Sequence, residues 1–558
     1  MNVGNLYERM SIHQLTTLIG ELNLESIAGI LRVLQLPSFD PDAVYTRSFL
    51  AGYANKTIGP KLLGTSAGFI DALNLLTLEE IQELYQNVIE HSDLGDRNAM
   101  CLKIAVAFRG KSTKSIICDL LGFEVADAET IGADTEVLSC NELAAAEKPY
   151  MQLKDYQFEV YFQALDRIFH PYSRFILQMP TGSGKTRTAM ELVCEFINST
   201  EDSSVVWLAH STELCDQASQ CFLDLWPHLG KRNVKLQRLY GGHQVSGSKE
   251  KVADFLCASF QSMYSSVKDY SSNFSDMLHG NKLIVVDEAH RAVAPTYKKV
   301  IQALTGSGGV VMGLTATPGR TYRNTKSDVE NTELADFFFN TIISFNPHEK
   351  TAIKYLRDKN VLSKATFEPL AVSARLSLTQ IELSHAADIF DLPPSFLKRL
   401  GKDSIRNSEI IHKIMQLITV RSLKSIIYFA TSVEQSILIN SLLRFLGFES
   451  EHVDGTTNKE VRSKIIANFR NQKVQVLCNY EVLSTGFDAP KVDCVFIARP
   501  TASVVLYSQM IGRGLRGVAI GGTSNCLIVN VIDNIQQLPA VYEMFNLFEE
   551  YWSTEKVN

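Results

Sequence analysis

Apolar residues in the first 145 positions recur at helical spacing. Leu15, Leu18, Ile19 and Leu22 follow the i, i+3, i+4, i+7 rule of one buried helix face, and Ile27, Ile30, Leu31 and Leu34 repeat it. Thr77 followed by Glu80 predicts a capping box opening TLEEIQELYQNVIEH, with Ile81, Leu84, Tyr85 and Val88 as the apolar stripe. Residues 127–148 are acidic and rich in small side chains, which reads as an interdomain connection. Beyond them the period changes. FILQ (175–178), VVWLA (205–209), LIVV (283–286) and VVMGL (310–314) are short apolar, β-branched runs separated by helical stretches, the pattern of a parallel sheet buried on both faces. SIIYF (425–429), VQVL (474–477), CVFIA (494–498) and LIVNV (527–531) form a second set. The expected architecture is α/β: a mostly helical unit over 1–145, parallel-sheet domains over 150–345 and 421–545, a helical connection over 346–420 that begins the second lobe, and a tail over 546–558.

Composition narrows the classes. The chain has 558 residues, 45% hydrophobic and 21% charged, which is ordinary for globular domains. No run approaches the roughly 18 apolar residues of a membrane span, and the N-terminus lacks a secretory pattern, so a cytoplasmic protein is expected. The ten cysteines are scattered and form no CxxC pair, which argues against a zinc site and for free thiols. Net charge is −7, unevenly spread: residues 1–150 hold 11 Lys and Arg against 20 Asp and Glu, and the remainder 43 against 41. A polyanion site must therefore be a local patch in the later part.

The chemistry begins where the first strand runs into MPTGSGKT, residues 179–186, and then a helix. Thr181, Gly182, Ser183 and Gly184 can turn backbone N–H groups around phosphate oxygens, Lys185 supplies a cation for the β- and γ-phosphates, and the Thr186 hydroxyl can ligate Mg²⁺. The strict pattern has Gly where this chain has Met179. The strand LIVV then delivers VDEAH, 102 positions after Lys185. Asp287 suits Mg²⁺ and Glu288 suits a general base for the attacking water, at the strand edge where α/β sheets bind ligands. Together the two motifs imply ATP hydrolysis with Mg²⁺.

At this point the chain resembles the superfamily 2 helicases and translocases. VDEAH is similar to their DEAH box. GLTATPGR (313–320) resembles their third motif, AHSTELCDQA (209–218) and ASFQSM (258–263) their strand-contacting elements, and LKDYQ (153–157) their adenine-reading motif. YFATSVEQ (428–435), LSTGFDAP (483–490) and RPTASVVLYSQMIGRGLRG (499–517) are similar to motifs IV, V and VI. The wording is close to the branch of excision-repair translocases, bacterial repair helicases and restriction-enzyme motor subunits.

The resemblance implies two tandem RecA-like domains moving on nucleic acid, with duplex DNA as the expected partner. It implies that Gln157 reads the base, and that Gln509, Arg513 and Arg516, spaced on one helix, reach the γ-phosphate. His290, Thr315 and Thr317 would couple nucleotide to track, while Thr212, Ser259, Gln261, Ser432, Thr485 and Gly486 would contact the nucleic acid. The basic stretch GRTYRNTK, with Arg320, Arg323 and Lys326, is a further candidate for that cleft. An RNA substrate, or an ATP-gated clamp that closes without processive movement, are the competing expectations. Residues 1–150 carry none of these motifs. Their acidity points to a separate domain that docks a protein or guards the cleft, with a local patch at Arg109, Lys111 and Lys114 as the competing DNA-binding reading.

Overall fold

The computed structural model describes residues 6–34, 40–64, 66–89, 96–108, 111–121, 123, 140–142, 150–199, 201–242, 253–269, 280–306, 308–316, 332–345, 352–372, 376–382, 392–480, 482–484, 491–501 and 503–533. The front of the chain is helical: α1 (Ile12–Ile19), α2 (Glu21–Leu34), α3 (Arg47–Thr57), α4 (Ser66–Asn74), α5 (Leu78–Val88), α6 (Arg97–Ala107) and α7 (Lys111–Leu120). The capping box expected at α5 is present, with the Thr77 hydroxyl accepting the Glu80 N–H and the Glu80 carboxylate accepting the Thr77 N–H. Glu80 also makes a two-pronged ion pair with Arg9, 2.8 Å on each arm.

The first sheet comprises β1 (Cys140–Glu142), β2 (Arg174–Gln178), β3 (Ser203–Ala209), β4 (Lys235–Leu239), β5 (Phe255–Ser259), β6 (Asn281–Asp287), β7 (Val310–Thr315) and β8 (Ile342–Ile343). Their spatial order is β1-β4-β5-β3-β6-β7-β2-β8, parallel except for the β1–β4 pair. Helices α8 (Asp155–Leu165), α9 (Lys185–Ser199), α10 (Thr212–Leu229), α11 (Phe260–Asp269) and α12 (Pro295–Thr305) accompany it. Every residue of β3, β5 and β7 is buried, as expected for strands covered on both faces.

The second sheet is parallel throughout, in the order β11-β12-β10-β13-β14-β9. Its strands are β9 (Lys364–Ala371), β10 (Ile426–Phe429), β11 (Ser450–Val453), β12 (Val476–Asn479), β13 (Cys494–Ile497) and β14 (Asn525–Ile532). Around it lie α13 (Ala352–Asp358), α14 (Pro394–Leu400), α15 (Ser404–Thr419), α16 (Val433–Phe445), α17 (Lys459–Arg470) and α18 (Val504–Gly512). Strand β9 falls inside the stretch read from sequence as helical connection. It is an edge strand, half exposed and interrupted by Pro369, so neither alternation nor an apolar run announces it.

The helices at the front do not bury their apolar faces only among themselves. One buried cluster runs from Leu15, Ile30 and Leu50 to Ile410 and Ile414 of α15, Leu442 of α16, and Tyr428 and Phe496 of the second sheet. Phe445, ending α16, packs against the rings of Phe49 and Tyr53, with centroids 4.9 and 5.7 Å apart. The backbone joins in, with Lys56 Nζ donating to the Phe445 carbonyl and Arg444 Nε to the Lys56 carbonyl.

Candidate active site

The phosphate loop leaves β2 and turns into α9 through Gly182 and Gly184, both at positive φ (83° and 88°). A side chain at Gly184 would strike Gln157, whose Nε2 lies 2.3 Å from the position of its Cβ. Gln157 holds this loop through its Nε2, which donates to the Ser183 carbonyl at 3.2 Å, while its Oε1 accepts the Lys154 N–H at the start of α8. Tyr156 donates to the same carbonyl at 2.7 Å. The Gln157 amide thus ties the start of its own helix to the loop backbone, with Lys185 and Thr186 opening α9 beyond it.

Asp287 ends β6, and Glu288 follows in the left-handed region at φ 53°, an unusual conformation for a glutamate. The absence of a side chain at Gly313 of β7 admits this turn, since a Cβ there would lie 2.8 Å from the Cβ of Ala289. Burial, together with the neighbouring Glu288 charge, raises the Asp287 carboxyl above its ordinary range. Burial also pushes Glu288 upward, but Lys185, His290, His210 and a Gln509 hydrogen bond outweigh it and hold its carboxyl low. His290 is buried, with Nδ1 3.3 Å from Glu288 Oε2. His210, directly after β3, is lowered to about 4 by burial and by Arg291.

The second sheet reaches the same place. Gln509, on α18, donates to Glu288 Oε1 at 3.2 Å. A Cβ on Gly512, the last residue of α18, would lie 2.2 Å from Thr181 Cγ2 of the phosphate loop. Arg513 caps this helix. Arg516 does not continue it, contrary to the helical spacing expected: the chain leaves through Gly514, where a Cβ would strike Cys526 and Val495, and Arg516 pairs with Leu362 in an isolated β-bridge. Further along the cleft, Arg462 of α17 forms an ion pair with Glu213 of α10, and Lys154 Nζ donates to the Ala519 carbonyl.

Thr315 ends β7, fully buried, and its carbonyl accepts the Met179 N–H entering the phosphate loop. Thr317 lies outside the described residues, as do Thr485, Gly486 and the stretch holding Arg320, Arg323 and Lys326. Thr212 and Gln261 are exposed at the starts of α10 and α11. Ser259 and Ser432 are buried, and their hydroxyls accept backbone N–H groups opening α11 and α16, from Ser262 and Gln435. Sequence reasoning missed His210, the Glu213–Arg462 pair and the Gly512–Thr181 approach. The last two join residues hundreds of positions apart, which no local pattern signals. Gly241 and Gly242 turn the chain at positive φ after β4, with Gly241 beside Thr212.

Residues 150–320 match the family described as type III restriction enzyme, res subunit, and residues 409–518 match the helicase conserved C-terminal domain. Both matched segments are thus similar to superfamily 2 helicase domains, the first to the restriction-enzyme-like branch. The chain is 26% identical over 373 residues to a Saccharomyces cerevisiae protein named as the ATP-dependent helicase IRC3, covering 65% of this chain and 49% of that one. It is 27% identical over 396 residues to a Schizosaccharomyces pombe protein named as the mitochondrial ATP-dependent helicase irc3, covering 70% and 58%. The match thus spans about half the length of these relatives. The S. cerevisiae Dbp5 structure bound to RNA and ADP BeF3 aligns at 15% identity and a TM-score of 0.49, covering 71% of this chain and 88% of that chain.

Proposed function

We propose that this chain is a nucleic-acid-stimulated ATPase whose two parallel-sheet domains close on ATP to drive movement along duplex DNA. The observation that carries the reading is the Gln509–Glu288 hydrogen bond, which joins the edges of two separate sheets at the DEAH acid. In this reading Lys185 holds the β- and γ-phosphates, Glu288 orients and deprotonates the attacking water, and Arg513 stabilises charge on the departing γ-phosphate. Arg516, placed off the helix, acts beside Arg513 from the Leu362 bridge. Thr186 and Asp287 are the residues that would hold Mg²⁺. One buried carboxylate and one hydroxyl fit an ion that takes its remaining oxygens from phosphates and water, and the raised Asp287 carboxyl is what a nearby dication would ionise. Bound there, Mg²⁺ would neutralise phosphate charge.

The nucleic-acid contacts follow from the same placement. Thr212 and Gln261 offer side chains at helix starts, whereas Ser259 and Ser432 set the helix N-termini whose free N–H groups suit phosphates. Thr485 and Gly486 complete the proposed track, and His290, Thr315 and Thr317 couple it to the nucleotide. The restriction-subunit match supports DNA in repair or defence; relatives of this chain carry both DNA helicase and RNA helicase in their names. The helices of 1–145 are assigned a regulatory or protein-docking role on the second lobe (346–420 with 421–545), with 150–345 as the first lobe and 546–558 as a tail. Among the described residues no helix is long and apolar enough to cross a membrane. A cytoplasmic site of action is part of the proposal, and the mitochondrial name of one relative makes fractionation its check.

The test is the ATPase rate with duplex DNA, single-stranded DNA and RNA in parallel. Duplex stimulation is the expected result, and stimulation by RNA alone would replace the substrate. Hydrolysis without displacement of a triplex strand would replace the motor with a clamp.

A further inference from the structure

We propose that Arg406, outside every motif, is a positioning residue for ATP turnover. Through Asp533 and the Ala498 carbonyl it sets the seat of α18, the helix that carries Gln509 and leads into Arg513. The proposal rests on the reading of the cleft as an ATPase site.

Arg406 lies in the first turn of α15, where Asp403 accepts its backbone N–H at 2.8 Å. Its guanidinium is fully buried and the Asp533 side chain is 2% exposed. The pair is two-pronged, Nε to Oδ1 at 2.7 Å and Nη2 to Oδ2 at 2.9 Å, and Nη2 also donates to the Ala498 carbonyl at 2.5 Å. Ala498 directly follows β13 and precedes the turn into α18, and Asp533 directly follows β14. One planar fork therefore fixes the ends of both strands from which α18 is hung. Strand β14 grips α18 independently, since Asn530 donates to the Tyr507 hydroxyl at 2.6 Å.

A buried ion pair is a poor device for stability, because desolvation offsets most of the attraction and apolar pairs of similar volume often do as well. What an apolar pair cannot supply is the fixed angle of three charge-assisted hydrogen bonds converging on one guanidinium. At this location the angle decides where Gln509 meets Glu288. The same helix, α15, is the one against which α2 packs, with the Ser404 hydroxyl 2.7 Å from where a Cβ on Gly29 would stand. The fork therefore lies between the front helices and the ATP cleft.

The experiment uses the full chain and the nucleic acid that stimulates the wild type. It compares Arg406→Met combined with Asp533→Leu, Arg406→Lys alone, and wild type, reading kcat, KM for ATP and the melting temperature. Because the pair replacement leaves no lone buried charge, it is expected to melt close to wild type. Its kcat is expected to fall tenfold or more, toward the roughly 100-fold that an ångström of misplacement costs. KM should stay within about twofold, since the phosphate loop is untouched. Arg406→Lys keeps the charge without the fork and should fall between the two.

A double variant that melts like wild type and keeps its kcat overturns the proposal, as does one that changes KM alone. If the double variant does not fold, the lysine variant decides: folded with wild-type kcat, it overturns the proposal equally. A wild-type chain without stimulated hydrolysis overturns the underlying ATPase reading instead, and is recognised because the unmodified protein itself fails.

Discussion

Glu288 is held in a left-handed backbone conformation between two sheets, with Gln509 on one oxygen and His290 near the other. Strain of this kind persists where surrounding structure enforces it. The turn is set within its own sheet, by the room Gly313 leaves and the Glu288 N–H donated to Asp287, while the far lobe adds a hold on one carboxylate oxygen through Gln509. Glu288→Gln keeps the shape and the Asp287 carboxylate while removing the base, and is expected to bind ATP and retain it. Lys185→Ala should lose nucleotide affinity as well as turnover, and Arg513→Ala should lose turnover by about 10³-fold or more with affinity less affected. Radiolabelled ATP binding beside steady-state hydrolysis separates the three, and near-normal turnover in Glu288→Gln would remove the base assignment. Thr315 makes a different prediction. Its side chain is buried where β7 meets the phosphate loop, so Thr315→Ala should lower nucleic-acid stimulation more than basal hydrolysis. Equal losses in both rates would end the coupling role.

Helix α18 shows what an element's end can do. It stops at Gly512 because the next glycines are pressed against other parts of the fold, Gly512 against Thr181 of the opposite lobe and Gly514 against Cys526 and Val495 of its own sheet. The two contacts make opposite predictions for one kind of substitution. Gly512→Ala should leave melting nearly unchanged yet cut ATPase about 10- to 100-fold, because the added methyl displaces the phosphate loop. Gly514→Ala should cost about 1–3 kcal/mol of stability, because it overpacks the interior of the second domain. Thermal melting and ATPase measured on both variants check this, and a shared phenotype would mean that the cleft is not closed as described. Sequence pattern revealed β2, β3, β6, β7, β10, β12, β13 and β14, which read as apolar runs, and the phosphate loop that follows β2 directly, but not β1, β4, β5, β8 or β11. It did not reveal β9, whose edge position tolerates Pro369 and exposed side chains, nor the end of α18. There Arg516 kept helical spacing on paper, while close packing at Gly514 took the chain out of the helix. The Glu213–Arg462 contact is legible only in three dimensions.

At the scale of the molecule, an acidic helical front end suggested a domain that stands apart from the motor, and the packing assigns it closer ties. The rings of Phe49 and Tyr53 cover Phe445, and Leu15, Ile30 and Leu50 share a buried cluster with α15, α16 and the second sheet. An apolar face of this kind is stable only while covered, at roughly 25 cal/mol for each square ångström kept from water. A chain starting at residue 150 is therefore expected to aggregate or to melt well below the full-length protein, even though it retains every ATP-site residue. Phe445→Asp in the full chain gives a milder form of the same defect, since it places a charge between two rings without deleting any helix. Each kcal/mol lost should lower the melting temperature by about 2–4 °C in a domain of this size. If the front helices also restrain α15, and through Arg406 the ATP-facing helix, hydrolysis without nucleic acid should change in Phe445→Asp while KM for ATP does not. Differential scanning calorimetry with basal ATPase on both proteins provides the check. A shortened chain that stays soluble, melts like the full protein and responds normally to nucleic acid would show that the front helices are separable cargo and would break the connection from α2 through α15 to the site.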